Sequence, residues 1–477
     1  MRYLFISVLA LLSVVEVIAQ RYVCFDEALA MMLANNRALM AARYGADASE
    51  DELRAARGLR YPRIDLMGGY ALLQRDVDID LGGAKGVVTK SLEGLISDGV
   101  KGGIITPDVA SFLSAGLSPL SSLDWRYTLQ KRSFATFGAT LTMPMYMGGR
   151  INIANRAARL RVEADVYKLN ATENALLTQL VERYYGVVLA EHVVAVRREV
   201  LGGVDKHLCD AVAMEEAGIL AHSTILYLEY RRSSAERDLT EAEHKLEMAR
   251  RALATTVGVV DGVIPSGKLF LLDNIHSLDY YIDNANKLNP VLCGAMTDAG
   301  LADEGVKLSR AELLPEVVAM AGGSIYSYNL SDIVPRWAVG VGAKITLFDG
   351  LGKERRYRAS KLKAQQVDEL VENARSEIEL LVEKEYYAVT NSLVAIEACR
   401  RSVEFAESYL HSASEGFSEG VTSSADLVDA RVEYAAARVE YLNAAYDFVA
   451  SLARLLEASG LSSEFIFMVD LGEEIDM

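Results

Sequence analysis

The sequence predicts an α+β membrane protein: a tandem-repeat protomer with four barrel-type strands and two long helical hairpins packed as coiled coils. Three observations carry that prediction. The stretch Gly420 to Gly460 has an echo from Gly218 to Gly258, 202 residues earlier, and Tyr184-Tyr185, Leu160 and Gly148 fall on Tyr386-Tyr387, Leu362 and Gly350 at the same offset. Within that stretch, Val428, Val432, Ala435, Val439, Leu442, Tyr446 and Val449 step alternately by four and three, the 3.5-residue repeat of a helix lying along a partner. Elsewhere two segments alternate apolar with small polar residues over about a dozen positions, as barrel strands do.

Composition bounds the rest. Residues 1–19 read as a signal peptide, with Arg2, an apolar run from Leu4 to Val15, and Val17-Ile18-Ala19 before Gln20. Glu16 cuts that run short of the ~20 residues a spanning helix needs. No later stretch is long and apolar enough to span as a helix, yet 51% of residues are hydrophobic. If a membrane is crossed, strands must cross it. A net charge of −17 disfavours nucleic acid. Cys24, Cys209, Cys293 and Cys399 are scattered without the spacing of a disulfide framework or zinc site.

The first repeat, 20–258, opens with helices over 25–57, broken near Asn36 and ended before Pro62. Strands follow over 63–73 and 134–147. In the second of these, Ala135, Phe137, Ala139, Leu141, Met143 and Met145 share one face, and Thr136, Gly138, Thr140 and Thr142 the other. Between the two strands lie 74–133, glycine-rich and without a persistent helical period, expected as a long extracellular excursion. Pro62 and Asn36 pair with Pro315 and Asn289 at an offset of 253, so this insertion accounts for 51 residues that the second copy lacks. A Gly turn at 147–150 starts a helix over 150–216, and Gly218 reverses the chain into a helix over 221–257. Residues 259–277 read as a linker.

The second repeat, 278–460, carries strands over 316–328 and 336–348. There Trp337, Val339, Val341, Ala343, Ile345 and Leu347 form the apolar face, and Tyr326, Tyr328 and Trp337 suit an interfacial aromatic girdle. Helices follow over 351–418 and 423–459, and 461–477 is a short acidic tail. At ~1.5 Å per residue each long helix is about 100 Å. The last helix bears a second stripe beside the first, Leu427, Tyr434, Tyr441, Phe448 and Leu455, so it needs neighbours on two flanks.

Four strands cannot close a barrel, and open edges are not tolerated in lipid. Two or three copies of the chain would satisfy the strand count. At this point the sequence resembles the TolC-like outer-membrane efflux and secretion channels, through GVTSSADLVDARVEY at 420–434 and its weaker echo from Gly218, LFDG at 347–350 and its echo MYMG at 145–148, and the strand starts at Pro62 and Pro315. The resemblance implies a homotrimer with a 12-stranded outer-membrane β-barrel and a periplasmic α-helical barrel. It also implies a collar from residues 20–34, 259–288 and the C-terminal tail. The implied role is a passive exit duct embedded in outer-membrane lipid, reached through a periplasmic adaptor (membrane fusion) protein from an inner-membrane RND or ABC transporter. Drug efflux and protein secretion both stay open. A structural coiled-coil protein of the cell envelope is the alternative, and the alternating strands count against it.

No catalytic, cofactor or metal constellation is present; the six histidines never fall at ligand spacing. Asp426 and Asp429, three apart, share a helix face just inside the Gly420 turn. Acids there suit a helix start, capped by Ser423 or Ser424. The resemblance instead implies an aspartate ring at a periplasmic gate. Where the family's archetype has an arginine and a tyrosine as latch residues, this chain has Thr422 and Phe417, and Thr224 faces them from the first copy. Closure is therefore expected to rest on hydroxyl and packing contacts, without an ionic latch. The turns Gly218-Ile219-Leu220 and Gly420-Val421-Thr422 are the expected adaptor-docking tips.

Overall fold

The computed structural model describes residues 21–259, 262–272 and 274–475, so the expected signal peptide lies outside the described residues. Strand β1 (Arg21–Val23) precedes helices α1 (Phe25–Asn35) and α2 (Arg37–Gly58). Then come β2 (Arg63–Leu72), β3 (Val77–Asp80), helices α3 (Gly82–Lys101) and α4 (Pro107–Ser122), β4 (Arg126–Gln130) and β5 (Ser133–Met147). The first long hairpin is α5 (Arg150–Glu216) with α6 (His222–Val257), followed by β6 (Val263–Pro265) and β7 (Phe270–Leu271). The second copy runs α7 (Leu278–Leu288), α8 (Pro290–Ala311), β8 (Glu316–Tyr328), β9 (Trp337–Lys344), α9 (Gly352–Ser418) and α10 (Ser424–Ser459). A 3-10 turn at Ser462–Glu464, helix α11 (Phe465–Leu471) and β10 (Glu473–Glu474) close the described chain. Among the described residues no helix is long and apolar enough to cross a membrane.

Two compact units result, residues 55–154 with 307–357, and the described parts of 1–54, 155–306 and 358–477. The first unit is built on an antiparallel sheet of order β2-β5-β8-β9. Register puts Leu66 opposite Ala139 and Ile64 opposite Leu141, so apolar residues of neighbouring strands share one face. On it Ile64, Leu66, Tyr70, Phe137, Met143, Trp337, Val339 and Val341 are all exposed. The other face carries mostly small and polar residues, with Thr140 registered between Asp65 and Gly322, and Met67 and Met320 among them. An apolar side without cover and a side of small polar residues is the inverse of a soluble sheet. Strand β9 ends at Lys344, short of the expected 348, because Lys344 pairs with Glu316, the first residue of β8, and no partner remains beyond it.

The insertion has a structure that its sequence does not display. Residues 74–133 are an antiparallel ribbon, β3 with β4, carrying the α3–α4 helix pair. Five glycines inside α3 (Gly82, Gly83, Gly86, Gly94, Gly99) lower its helix propensity and hide the period of Val88, Leu92, Leu95 and Ile96.

The second unit holds the main core. There Phe25, Tyr184, Tyr185, Phe270 and Phe465 form an aromatic cluster with ring centroids 5.2–6.4 Å apart. Phe465 lies in the expected acidic tail, and β7 pairs with β10 while β6 pairs in parallel with β1. The tail and the linker are thus parts of the core, because their few apolar residues are buried in it.

The duplication reappears as a repeated clamp. Asn36 donates from Nδ2 to the Thr256 carbonyl (2.9 Å) while its Oδ1 accepts from the N–H groups of Ala38 and Leu39. Asn289 donates likewise to the Ala458 carbonyl (2.8 Å) and accepts from Val291 and Leu292. Each asparagine caps one helix N-terminus and holds the last turn of another. Gly258 and Gly460 end those turns in left-handed conformation (φ +81° and +73°), where a side chain would strike the backbone at Asn35 or Leu288.

Candidate functional site

Both helical hairpins of the second unit turn on the same motif. Gly218 and Gly420 take φ +74° and +78°. The N–H groups of Gly218 and Ile219 reach the carbonyls of Glu215 and Met214, and those of Gly420 and Val421 reach Phe417 and Gly416. Both are Schellman caps, which satisfy the last helical carbonyls and require a residue without a Cβ at the left-handed position. They leave Ile219 and Val421 72% and 81% exposed. Leu220 is instead half-buried against the core, so it presents little of itself.

The two turns line one cavity of about 650 Å³, with Ile219, Leu220, Thr224, Tyr227, Phe417, Gly420 and Thr422 in its wall. Phe417 lies edge-on against His207 (centroids 4.7 Å) and packs beside Ala413, Leu427 and Ala430. The Thr422 N–H bonds the Gly416 carbonyl, and that of Thr224 the Ala221 carbonyl. His207 is 4% exposed and its Nε2 lies 3.1 Å from Ser424 Oγ. Burial, reinforced by the Arg431 charge, lowers its pKa, against a smaller opposite pull from Asp210 and the Ser424 backbone.

The two aspartates differ. Asp426 is exposed, its N–H donates to Ser423 Oγ (3.2 Å), and its Oδ2 accepts from that hydroxyl (2.7 Å). This is a reciprocal helix cap, as the helix-start reading expects. Asp429 is half-buried and reaches across from α10 to α6. It pairs with Arg231 and accepts from the Tyr227 hydroxyl (3.2 Å), which in turn accepts from Arg231 Nε (2.7 Å). The Tyr227 hydrogen bond, then the Asp429 charge, raises the Arg231 pKa against partial burial. Arg232, one residue on, bonds Asp205 of α5 (2.7 Å).

The chain brings an arginine, a tyrosine and an aspartate into contact beside the turns, the first two from α6, a pairing that the motif at 417–429 does not display. The signal was in the duplication, since Tyr227 falls on Asp429 at the 202-residue offset. Among the described residues, no group of His, Cys, Asp and Glu is placed to hold a metal.

A bare-edged sheet with an apolar outer side, joined in one chain to two copies of a long helical hairpin, defines a subunit of a membrane-spanning duct. Residues 28–259 and 281–461 match the outer membrane efflux protein family, and the chain belongs to that family. It is 24% identical over 341 residues to the outer membrane efflux protein BepC of Brucella suis, covering 69% of this chain and 73% of that one. It is 23% identical over 310 residues to the outer membrane protein TolC of Vibrio cholerae, covering 62% and 69%. The CmeC outer membrane channel of Campylobacter jejuni superimposes with a TM-score of 0.70 at 13% identity, covering 95% of this chain and 90% of that one. The chain is an outer-membrane exit duct with a periplasmic helical extension, and not an enzyme. TolC-like channels are homotrimers that work with periplasmic adaptor proteins and inner-membrane pumps.

Proposed function

We propose that the tip built by the two Schellman turns is both the closed periplasmic end of this duct and the place where its adaptor docks. The observation that carries the reading is the bond from Arg231 and Tyr227 on α6 to Asp429 on α10, beside two exposed apolar turn residues. Opening a tip of this kind moves helical hairpins relative to one another, so a contact between α6 and α10 opposes it. Three copies about one axis bring Asp426 and Asp429 to the constriction; with Asp429 paired to Arg231, the three Asp426 carboxylates carry the negative field that attracts cations. Phe417, Thr422 and Thr224 pack the same tip. Ile219 and Val421, with Leu220 and Thr422 beside them, offer the adaptor a small apolar patch, and Gly218 and Gly420 shape it. The insertion 74–133 then lies outside the cell.

The test is an export assay with Ile219→Asp and Val421→Asp, positions whose exposure makes them harmless to folding. Lost export with normal trimer yield supports docking; unchanged export refutes it. For the gate, bilayer recordings of Asp426→Asn should show weaker cation selectivity and relief of block by trivalent cations. If both match the parent, Asp426 is a helix cap and nothing more.

A further inference from the structure

The α3–α4 pair in the insertion has an uncovered groove. Leu92, Leu95, Ile96, Ile105, Phe112 and Leu113 line a cavity of about 700 Å³, with Leu95 70% and Phe112 78% exposed. None of the described side chains of α3 or α4 is fully buried. Lys85 Nζ ties the base of the pair to the Leu123 carbonyl (2.7 Å). Two helices with no fully buried side chain between them need a further surface to hold their shape.

We infer that this surface is the same hairpin of the neighbouring copies: in the trimer the three α3–α4 pairs pack on one another through their apolar grooves. Position argues for it first. The hairpin is rooted on β2, an edge strand whose unpaired side must meet β9 of the next copy for the wall to close, and on its neighbour β5; Gln130 at its base also bonds Asn329 and Ser331 of the β8–β9 turn. One root of the insertion therefore borders the seam between subunits, and the helical contact continues the strand contact across it.

Charge argues the same way. Lys85, Lys90 and Lys101 balance Glu93, Asp98 and Asp108, so the helix pair is neutral in a chain of net charge −17 and its copies do not repel. Reach is sufficient as well. Twelve strands about 4.8 Å apart and tilted about 40° close a wall about 24 Å across. Helix α3 is about 30 Å long, and a pair of helices about 20 Å wide.

Lipid is the rival cover, and the ribbon beneath argues against it. Strands β3 and β4, with Asp78, Asp80 and Arg126, and their links to the sheet, with Asp76, Lys131 and Arg132, lie between the barrel strands and the helices. Four residues of β3 lift the groove by about 13 Å beyond the end of the sheet where Tyr70, Phe137 and Trp337 cluster, the aromatic band of a membrane boundary. Charges in that ribbon hold the groove off the hydrocarbon layer.

The inference takes the trimer and its twelve-stranded membrane wall from the family and is independent of the gate and docking readings. The test is site-directed cross-linking of the full-length protein in outer membranes, with the four native cysteines replaced by alanine. Phe112→Cys and, separately, Leu95→Cys are treated with a short bis-maleimide, and Lys90→Cys, on the opposite face of α3, is the control. Covalent dimers and trimers at least tenfold above the control are expected at both positions. Background cross-linking at both overturns the inference, whether the cysteines then react with a lipid-soluble reagent (groove against lipid) or a membrane-impermeant one (groove open to water). A monomeric mass in detergent removes the partner and overturns it too.

Discussion

Replacing Arg231 by alanine tests the tip most sharply. The Arg231 and Asp429 side chains are 30% and 47% exposed, so their ion pair is screened and contributes about 0.5–1 kcal/mol. Loss of the Tyr227–Arg231 hydrogen bond adds about 1 kcal/mol. If the three copies open together, about 1–2 kcal/mol each becomes about 3–6 kcal/mol. At 1.4 kcal/mol per tenfold, the open-to-closed ratio rises by roughly 10² to 10⁴. Conductance of the purified channel in planar bilayers reads this directly. Arg231→Ala should raise the open fraction steeply, and Tyr227→Phe should raise it less. In the parent, high salt should mimic part of the effect. Arg251→Ala, which removes only a surface pair with Glu247, is the control. An Arg231→Ala channel as closed as the parent at every salt concentration would refute the reasoning.

Three further outcomes are expected. Asn289→Leu strips three hydrogen bonds from a buried site and should lower stability by roughly 2–4 kcal/mol in chemical denaturation, with Asn36→Leu similar because its bonds are the same. Arg454→Met removes the guanidinium that bonds both Glu182 and Glu385, whose side chain is 4% exposed; Glu385 keeps Lys384 (2.9 Å), so the change should cost about 1.5–3 kcal/mol by the same measurement. His207 has a lowered pKa in the fold, so it binds its proton more readily unfolded. Its contribution is therefore complete above the ordinary histidine pKa of about 6.5 and is lost as pH falls below that through the folded value. Tip protection in hydrogen exchange should fall over that window, and His207→Gln should abolish the pH dependence.

Much of this was legible because each repeat states its pattern twice. Strands β5 and β9 alternate large apolar with small residues, a pattern that survives without any long hydrophobic run. Asn36 with Asn289, and Gly258 with Gly460, were readable as pairs, although only coordinates reveal that each asparagine clamps the helix ending at its glycine. The α3–α4 helices were hidden because glycine interrupts the period. Phe465 was hidden in an acidic tail, where one buried ring matters more than the surrounding charge. The partner of Asp429 was not legible for a different reason: the cation that meets it stands on the first hairpin, away from Phe417 and Thr422, and contacts between sequence-distant helices leave no local signal.

The central claim is that this four-stranded sheet is one third of a closed wall. Cysteine pairs scanned along the outer edges of β2 and β9, for example Leu66→Cys with Val341→Cys, test it on a denaturing gel of membranes oxidised before solubilisation. The account predicts bands at two and three chains and none higher, from pairs at one register of the β2–β9 contact. Cross-links confined within single chains, or ladders extending past three, would contradict it.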